Sequence, residues 1–366
     1  MGIIHLVLGK ANPARMNGVN KVVFQLGSRQ AASGRDVQIW GITKDQMHNY
    51  EERDIETTLF KKRKNPFTIS AELKNAIIQS ENTVFHLHGG WIPTFWVVAK
   101  YLKKYNKKMI LTPHGAYNTV AMRVNGFQKK IYFHLFEKSV LKIANKIHCI
   151  GASEKEGLEN IYPNHKQIIL PYGFDRPRMD SFTKKHDNTF IVGFLGRTDI
   201  HTKGLDILTQ AFAKFQKNKR TKLWIVGDSD ETPQLKTMLK EEGIVHNTIL
   251  YGSKFGSDKN AIIQQMDVFT HPSRNEGLPT AVLEAATFGV PSIVTQATNV
   301  GSYITKYNAG KCIENENVNE LITALEEVYL EWQANAMAQY VDNTQAMLNQ
   351  EFNWDRLINK YDGLYL

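Results

Sequence analysis

Two glutamates spaced eight residues apart carry the sharpest chemical signal in the chain. Glu276 lies in a loop after a predicted strand that ends at His271, and Glu284 lies on a predicted helix whose first turn holds Pro279. With one carboxylate in the loop and the other on the helix, the pair can hold two parts of one elongated ligand. Taken alone, Glu276 is also explained as a charge that complements the helix dipole, and Glu284 as an exposed helical residue.

Backbone amides and two cations predict that this ligand carries an anionic group. The start of the helix leaves free N–H groups at Gly277, Leu278 and Thr280, and such groups bind anions. Upstream, Arg197 and Lys203 are predicted to share one loop between a strand and a helix start, where two cations suit a diphosphate. The alternative for that segment is a pair of ordinary surface cations.

Two histidines in the first half of the chain follow predicted strands. His114 stands in a Thr-Pro-His-Gly segment, and His88 stands in a His-Leu-His-Gly-Gly segment. His114 is also explained as a structural histidine held by neighbouring backbone. After the first predicted strand, Gly18 follows Asn17, and a glycine there lets the backbone approach a ligand that a side chain would block.

The elements that must position these residues are short apolar strands that alternate with amphipathic helices, which indicates parallel sheets covered by helices. In the first half the predicted strands are 3–8, 37–42, 83–87, 108–112, 146–150 and 167–170. The rhythm then restarts with predicted strands 190–195, 222–226, 248–251, 268–271 and 291–294. The predicted fold class is α/β, with two Rossmann-like parallel-sheet domains that face each other across a ligand cleft.

A segment rich in Pro, Gly and charged residues separates the two series of alternating strands and helices and marks the domain boundary. We therefore assign residues 1–175 to an N-terminal domain and residues 176–344 to a C-terminal domain. The final stretch of the chain, about 345–366, is predicted to be helical.

Charge and composition limit the function classes. Apolar residues make up 42% and charged residues 22% of the chain, which excludes a disordered, collagenous or coiled-coil protein. Residues 1–175 carry a net charge of +12 and the remainder −3, within a total of +9, so the first half suits an anionic partner. Nucleic acid, a phosphorylated substrate and an anionic membrane surface all satisfy this, and so does a soluble protein with excess surface lysine.

Three further features predict a reducing, cytoplasmic setting. The longest apolar stretch, Trp91–Ala99, is far shorter than the roughly 18–20 residues that span a bilayer. The apolar start at Ile3–Leu8 lacks the charged leader and cleavage site of a signal peptide. Cys149 and Cys312 are far apart, so they indicate neither a disulfide framework nor a metal site.

Several segments, in order along the chain, resemble those of the retaining glycosyltransferases of family 4, which have the GT-B fold. The segments are Asn17-Gly18-Val19, Thr112-Pro113-His114-Gly115, the loop of Arg197 and Lys203, Val226-Gly227-Asp228, and the Glu276-x7-Glu284 motif. The likeness covers essentially the whole chain, and it implies that the C-terminal helix, about 345–366, returns to the first domain and packs on it. It implies a retaining transfer from a nucleoside diphosphate sugar, with UDP the first expectation and GDP the second. It further implies that the acceptor is a glycan or a polyprenyl-linked glycan of polysaccharide or cell-surface biosynthesis.

The resemblance also implies a role for each candidate residue. Arg197 and Lys203 would bind the donor diphosphate, while Glu276 would meet the donor sugar hydroxyls and Glu284 the ribose. The other donor-side residues it implies are Gly18, Gly227, Gly277, Leu278 and Pro279. His114 would face the reacting sugar, which makes it a catalytic candidate with Glu276, Arg197 and Lys203, and His88 would line the acceptor side.

The chain departs from the family pattern at two places. Asn17-Gly18 stands where the family has a Gly-Gly pair, and Gly227-Asp228-Ser229-Asp230 stands where it has Gly-Asp-Gly-Pro. Asp228 and Asp230 also spell an Asp-x-Asp that holds a divalent ion in transferases of another fold. We reject that role, because two cations and a helix start already offset the diphosphate charge, and we expect no metal and no cofactor.

Three rival functions are weaker on the sequence. A nicotinamide oxidoreductase needs a Gly-x-Gly-x-x-Gly turn after a strand, and the chain has none. Nucleic-acid binding lacks a recognisable recognition motif among the lysines. A non-catalytic, two-lobed protein that binds a sugar or nucleotide remains the alternative, although simple binding does not require two cations on a diphosphate.

Lysines interleaved with aromatic residues in the first domain predict peripheral contact with an anionic membrane. The two segments are Lys100–Lys108 and Phe127–Lys146. Basic residues near acidic lipids contribute roughly 1 kcal/mol each. The enzyme would then work at the inner face of the membrane, although Phe127–Lys146 is also explained as an amphipathic helix packed on the sheet.

Overall fold

The computed structural model describes residues 1–12, 18–48, 50, 52–118, 126–176 and 188–366. The chain divides into two compact units. One is Met1–Gly173 with Trp354–Leu366, and the other is Phe174–Asn353. Each unit contains one parallel sheet with helices, which confirms the predicted α/β class with two Rossmann-like domains.

The first unit is built on a seven-stranded sheet in the order β3-β2-β1-β4-β5-β6-β7. Its strands are β1 (Gly2–Leu8), β2 (Val37–Thr43), β3 (Glu56–Lys61), β4 (Thr83–His88), β5 (Lys108–Thr112), β6 (Lys146–Cys149) and β7 (Gln167–Ile169). The central strands read as nearly continuous apolar runs because helices cover both faces. The prediction missed β3, an edge strand whose half-polar sequence has only Leu59 and Phe60 buried.

The helices of the first unit begin at recognisable local signals. In chain order they are α1 (Gly18–Ala32), α2 (Ala71–Gln79), α3 (Pro93–Lys104), α4 (Gly126–Tyr132), α5 (Lys138–Ile143) and α6 (Ala152–Ile161). The Ser70 hydroxyl caps α2 by accepting a hydrogen bond from the Leu73 N–H at 3.2 Å, and Pro93 opens α3. A π-helical segment, Phe133–Glu137, joins α4 to α5 where the sequence predicted one regular helix.

The second unit is built on a six-stranded sheet in the order β10-β9-β8-β11-β12-β13. Its strands are β8 (Phe190–Leu195), β9 (Thr221–Val226), β10 (Thr248–Gly252), β11 (Val268–His271), β12 (Ser292–Thr295) and β13 (Gly310–Ile313). The helices that follow are α7 (Ile200–Lys203), α8 (Leu205–Phe215), α9 (Thr232–Glu241), α10 (Gly256–Ile263), α11 (Thr280–Thr287), α12 (Gly301–Tyr307), α13 (Val318–Gln333), α14 (Ala338–Glu351) and α15 (Trp354–Tyr365). Of these, α15 belongs to the first unit.

The return of the chain to the first unit begins at Trp354, later than the predicted residue 345. The reason is that α14 ends in the core of the second unit, where Met347, Leu348 and Phe352 are buried. The boundary between the units also falls after Gly173, two residues before the predicted one. Gly173 packs directly under the Trp354 ring, which a Cβ would approach to 2.2 Å, so glycine is required there.

Parallel pairing in each sheet places the carboxyl ends of its strands at one edge, where ligands of such sheets bind. Within the ranges that the structure describes, none of the helices combines the length and apolar character that crossing a bilayer requires. The predicted linker is described up to Arg176 and again from Asn188, and residues 177–187 lie outside the described residues.

Candidate functional site

Lys203 ends a single helical turn at the carboxyl edge of the second unit. Asp199 caps this turn, α7, by accepting a hydrogen bond from the Thr202 N–H at 3.0 Å. Gly204 then adopts a left-handed conformation with φ of +67°, and a Cβ there would lie 2.0 Å from the Pro272 carbonyl oxygen. Only glycine therefore lets α7 pack against the loop that follows β11. The predicted shared loop of Arg197 and Lys203 is thus a loop followed by a short helix.

The loop after β11 is fastened to the α7 region by hydrogen bonds and ion pairs. The Ser273 hydroxyl and the Arg274 N–H both donate to the Thr202 carbonyl, at 2.7 and 2.9 Å. The Arg274 guanidinium forms a bidentate pair with Asp206 at 2.7 and 2.8 Å and a further bond to Glu316 at 2.7 Å. Bidentate pairs hold geometry as well as charge, so the loop is a preorganised platform. The sequence analysis did not single out Arg274.

The amides predicted to bind an anion lie at the end of this loop. Asn299 donates to the carbonyls of Glu276 and Gly277, at 3.1 and 2.8 Å, and so holds the turn that continues through Leu278. Pro279 is the N-cap of α11 rather than a residue of its first turn, and its side chain cannot cap the helix. The start of α11 is therefore left to accept an anion.

Glu276, Lys203 and His271 form a compact charged cluster at the carboxyl edge. The Lys203 ammonium forms an ion pair with Glu276 Oε1, and His271 Nε2 lies 3.0 Å from the same oxygen. The side chains of Lys203 and Glu276 are 15% and 16% exposed. Burial alone would raise the pKa of Glu276, but the interactions with His271 and Lys203 outweigh it and lower the pKa to about 2. Glu276 is therefore an ionised acceptor at neutral pH.

His271 was not among the predicted site residues, although its place at the end of β11 is a signal that points to the site. It is buried, and its ring stacks on Phe194 at 5.9 Å and on Phe269 at 6.1 Å between centroids. Stacking fixes the imidazole plane and aims Nε2 at Glu276.

Glu284 takes a different lysine. Its carboxylate accepts a hydrogen bond from the Lys259 ammonium of α10 at 2.5 Å, and its side chain is 13% exposed. Glu284 is therefore not an exposed helical residue. The pairing with Lys259 depends on two helices that the sequence does not place together, and no local pattern marks it.

Arg197 stands apart from both pairs. Its side chain is 65% exposed, and its guanidinium lies 4.0 Å from the Asp199 carboxylate. The structure thus places Arg197 at the same sheet edge as Lys203 but does not give the two cations a shared partner among the described residues. An exposed arginine on a short loop is free to change rotamer when an anion binds.

Gly227 is required by the fold of this edge. Its φ is +137°, and a Cβ would lie 1.8 Å from the Gly196 carbonyl oxygen, so the segments after β8 and β9 approach this closely only because residue 227 is glycine. The Asp228 carboxylate that follows accepts hydrogen bonds from the Ser229 N–H at 2.9 Å and from the Thr232 hydroxyl. These contacts hold the Asp228 carboxylate in the turn that leads into α9.

The histidine candidate of the first unit lies on a strained turn after β5. His114 adopts a left-handed conformation with φ of +57°, which is uncommon for a residue with a Cβ. The next residue, Gly115, donates its N–H to the Glu154 carboxylate at 2.5 Å, and the same carboxylate accepts from the Ile150 N–H at 3.1 Å. Burial raises the pKa of Glu154 to about 7, against the lowering effect of these backbone donors. Strained residues held in this way concentrate at functional sites.

His88 lies behind His114 rather than at the surface. It is 1% exposed, and its two ring nitrogens lie 2.9 Å from His5 Nδ1 and 3.0 Å from His114 Nε2. Contact between His88 and an acceptor therefore passes through His114.

Gly18 opens α1, and a Cβ there would meet nothing within 4 Å, so packing within the protein does not require a glycine. Asn17 lies outside the described residues.

The second unit therefore presents chemistry suited to a polyol that carries an anion. An ionised carboxylate next to a lysine can accept hydrogen bonds from hydroxyls, while Arg197, Lys203 and the start of α11 can offset phosphate charge. A second lysine–carboxylate pair at Glu284 offers another place for hydroxyls. The first unit, described by itself, has a histidine on a strained turn at the carboxyl edge of its own sheet.

Two family models match this chain. The model for glycosyl transferases group 1 matches residues 175–347, and the model for glycosyltransferase family 4 matches residues 16–178. Together they span nearly the whole sequence, with their junction at the boundary between the two units.

Three curated relatives share 23–25% identity with parts of the chain. They are an uncharacterised glycosyltransferase of Methanocaldococcus jannaschii (23%, 49% of this chain), the capsular polysaccharide biosynthesis glycosyltransferase CapM of Staphylococcus aureus (25%, 56%) and the UDP-Gal:alpha-D-GlcNAc-diphosphoundecaprenol alpha-1,3-galactosyltransferase of Escherichia coli (24%, 65%). The matched regions span 45%, 57% and 64% of these relatives' own lengths.

Solved structures show the same fold over the full chain. The sucrose-phosphate synthase of Thermosynechococcus elongatus aligns over 100% of this chain and 98% of its own, with a TM-score of 0.76 and 19% identity. HepE of Anabaena, in complex with UDP, aligns over 99% of both chains, with a TM-score of 0.74 and 14% identity. At these identities the likeness concerns the fold.

Proposed function

This chain belongs to the family 4 glycosyltransferases, and on that premise we propose that it transfers a sugar from a nucleoside diphosphate sugar to a glycan acceptor with retention at the anomeric carbon. The cluster of Glu276, Lys203 and His271 at the carboxyl edge of the second sheet carries the proposal. UDP is the first expectation for the nucleotide and GDP the second. The Escherichia coli relative is named for UDP-Gal and a diphosphoundecaprenol acceptor, which supports UDP and a polyprenyl-linked acceptor here.

The donor diphosphate is assigned to the cations and amides of the second unit. Lys203 and Arg197 would offset its charge, together with the amides of Gly277 and Leu278 before α11. Charge on the diphosphate grows as the bond to the sugar breaks, so these contacts stabilise the transition state more than the bound substrate. Preorganised contacts of this kind are worth roughly 3–4 kcal/mol each.

The two glutamates are assigned to the two ends of the donor. Glu276 is ionised and faces the carboxyl edge, so it can accept hydrogen bonds from the hydroxyls of the transferred sugar. Glu284 would accept those of the ribose while its pairing with Lys259 keeps it oriented. In the first unit, His114 is assigned to the reacting sugar.

Retention is assigned to a front-face transfer rather than to a covalent enzyme intermediate. In this step the bond between the anomeric carbon and the leaving phosphate oxygen breaks, and the acceptor oxygen bonds to the same face. The acceptor proton passes to the leaving phosphate. Glu276 is the one carboxylate we would consider as a nucleophile, and its ion pair with Lys203 makes it a poor one. Because cations and amides offset the diphosphate charge, the proposal includes no metal and no other cofactor.

A binding screen tests the donor assignment, and turnover separates the enzyme from the alternative of a non-catalytic binding protein. We expect one nucleotide sugar of a panel to raise the melting temperature. A ligand at 100 times its dissociation constant stabilises by about 2.7 kcal/mol. Transfer of its sugar to a lipid-linked or soluble glycan should follow. Stabilisation without any transfer would favour the binding protein, and the absence of stabilisation by every nucleotide sugar would contradict the proposal.

We further propose that the first unit touches an anionic membrane on its cytoplasmic face. Phe127, Ile131 and Leu135, four residues apart on one side of α4 and the π-helical segment, are 78%, 48% and 61% exposed. We call these three residues the apolar stripe. Lys129, Lys130 and Lys138 belong to the same helical region, and Lys100, Lys103 and Lys104 belong to α3, which packs against that region. Apolar side chains beside lysines favour a surface of acidic lipids, where each lysine contributes about 1 kcal/mol.

Vesicle co-sedimentation tests the membrane contact. The protein should pellet with vesicles that contain anionic lipid, less so at high salt, and less with neutral vesicles. Replacing the apolar stripe by serines should weaken binding, while the matched change of the exposed Val245, Ile249 and Phe255 in the second unit should not. Equal binding to both kinds of vesicle, or no binding, would leave a soluble acceptor as the better proposal.

A further inference from the structure

One face of the first unit's sheet is polar, although it is buried. Strand register places His5 opposite His86, His88 two residues further along β4, and Thr112 opposite His88. His148 of β6 lies on the same face, because β5 and β6 pair in register. All five side chains are 0–1% exposed. Buried polar groups on this scale persist only when each has a hydrogen-bond partner.

A backbone carbonyl at one end of this face fixes which ring nitrogen of each histidine carries the hydrogen. His148 Nε2 lies 2.7 Å from the Leu170 carbonyl oxygen, which can only accept, so Nε2 carries the hydrogen. Nδ1 of neutral His148 is then an acceptor, and the Thr112 hydroxyl donates to it at 2.8 Å. The same hydroxyl oxygen accepts from His86 Nε2 at 2.6 Å.

The same assignment of donors and acceptors continues through Tyr365 of the C-terminal helix, α15. Nδ1 of His86 is left as an acceptor, so the Tyr365 hydroxyl donates to it at 3.0 Å. The Tyr365 oxygen accepts from the Gln30 amide nitrogen at 2.9 Å. Gln30 Oε1 then accepts from His5 Nε2 at 2.6 Å. The Gln30 amide must therefore point its nitrogen at Tyr365 and its oxygen at His5. This is the orientation that agrees with the hydrogen positions fixed by the Leu170 carbonyl.

The assignment of donors and acceptors ends at His114, on the strained turn after β5. His5 Nδ1 accepts from His88 Nε2 at 2.9 Å, and His88 Nδ1 accepts from His114 Nε2 at 3.0 Å. His114 therefore carries its hydrogen on Nε2 and has its Nδ1 lone pair available. Tyr172 stacks on the His114 ring at 15° between planes, and its hydroxyl lies 3.3 Å from Nδ1 and 3.4 Å from Nε2, so it sits over the ring and not in the plane of the Nδ1 lone pair. The imidazole is thus fixed in tautomer and in plane.

A metal site explains the same histidines less well. One nitrogen each of His5, His86 and His88 lies within 4.8 Å of the others, which is close enough for a shared ion. However, His86 spends both nitrogens on Thr112 and Tyr365, and His5 and His88 bond to each other. The grouping contains no carboxylate to offset a divalent charge in a buried place.

We propose that Tyr365, Gln30, His5 and His88 are positioning residues that hold His114 as the Nε2–H tautomer, so that Nδ1 accepts a hydrogen bond from a sugar hydroxyl. The proposal rests on the proposed function in taking His114 as the group that meets the sugar. The hydroxyl that binds there must donate, so a deoxy or methylated sugar at that position is discriminated against. Tyr365 acts on the site through four hydrogen bonds.

Removing one hydroxyl breaks this line of hydrogen bonds. Tyr365→Phe leaves His86 Nδ1 and the Gln30 amide nitrogen without their shared partner. The Gln30 amide can then rotate, and His5, His88 and His114 can each take either tautomer. Tyr361→Phe is the matched control, because Tyr361 is also buried on α15 and donates to the Pro171 carbonyl at 3.0 Å, outside the line.

Nitrogen-15 spectroscopy of histidine side chains in the full chain tests the proposal directly. In the native protein all five imidazoles, those of residues 5, 86, 88, 114 and 148, should give the pattern of the neutral Nε2–H tautomer. In Tyr365→Phe the His114 signals should move toward tautomer averaging, and in Tyr361→Phe they should not. An Nδ1–H pattern at His114, an unchanged His114 in Tyr365→Phe, or one tightly bound metal ion per chain overturns the proposal.

Assays of sugar binding and sugar transfer, set beside the tautomer of His114, distinguish a failure of this proposal from a failure of the proposed function. If Tyr365→Phe populates the two tautomers equally, the apparent affinity for a sugar that needs one of them falls about twofold, while Tyr361→Phe keeps the native value. A native tautomer pattern that Tyr365→Phe changes supports the positioning role even if no sugar transfer is found. A His114 that keeps its tautomer in Tyr365→Phe overturns it even in an active enzyme.

Discussion

The buried histidines predict that mild acid destabilises the first unit more than the second. Burial lowers the pKa of His5 and His148 to about 4 and that of His114 to about 3, from the usual 6.5. These side chains are neutral in the folded protein and become protonated in the unfolded chain as the pH falls below 6.5. The unfolded state then binds more protons, so stability is complete above pH 6.5 and is lost progressively toward pH 4.

The size of the effect follows from the shifts. Between pH 7 and pH 5 each of these three histidines removes about 2 kcal/mol of unfolding free energy. His86 and His88 act in the same direction, because burial and neighbouring imidazoles lower the pKa of both. Glu154 opposes them, since burial raises its pKa to about 7 and its protonation in the folded state returns about 2 kcal/mol over this interval. The net loss is about 4 kcal/mol before His86, His88 and Glu137 are included; burial also raises the pKa of Glu137, which therefore opposes the loss as Glu154 does. This is a large part of the roughly 5–15 kcal/mol of a typical domain.

Urea unfolding at pH 7 and pH 5, read by hydrogen exchange at peptide resolution, measures the two units separately. The midpoint of the first unit should fall strongly at pH 5. The second unit provides an internal control, because the low pKa of Glu276, about 2, means that the stabilisation from this buried carboxylate hardly changes between pH 7 and pH 5. An equal change in both units, or a first unit that is as stable at pH 5 as at pH 7, would refute the reasoning.

Three further predictions concern the site. Arg197→Ala and Lys203→Ala should each lower turnover at least about tenfold in a folded enzyme, because each removes a cation from the leaving diphosphate; near-normal kcat in both variants argues against the assignment. Glu284→Ala should weaken calorimetric binding of free UDP more than Glu276→Ala does, since only Glu284 is assigned to the nucleotide, and the reverse order contradicts that division. Turnover in excess chelator should match turnover with magnesium, and a loss that a divalent ion restores would return Asp228 and Asp230 to consideration as metal ligands.

Much of the fold was predictable because its signals are local. Apolar runs of strand length that alternate with amphipathic helices specify parallel sheets, and the restart of that rhythm specifies two units. The carboxyl end of each strand is also a local feature, so Glu276, Lys203 and His114 could be placed at sheet edges from the sequence alone. The half-polar edge strand β3 and the short β13 were missed because their apolar signal is weak.

The partners of these residues were decided by tertiary structure. Lys259 meets Glu284 because α10 and α11 pack together, and Glu154 reaches the turn of His114 because β5 and β6 are neighbours in the sheet. The return at Trp354 depends on which core buries the end of α14.

The line of hydrogen bonds behind His114 shows most clearly what the sequence determines and what only tertiary structure decides. The sequence by itself determined that histidines occur on strands β1, β4 and β6, but histidines on apolar strands carry no local sign of their partners. Strand order brings these imidazoles onto one face, and the returning helix closes the line with Tyr365, 335 residues away from Gln30 in sequence. Hydrogen bonds act over about 3 Å whatever the sequence separation, so the order of the protons, and with it the tautomer of His114, exists only in the folded protein.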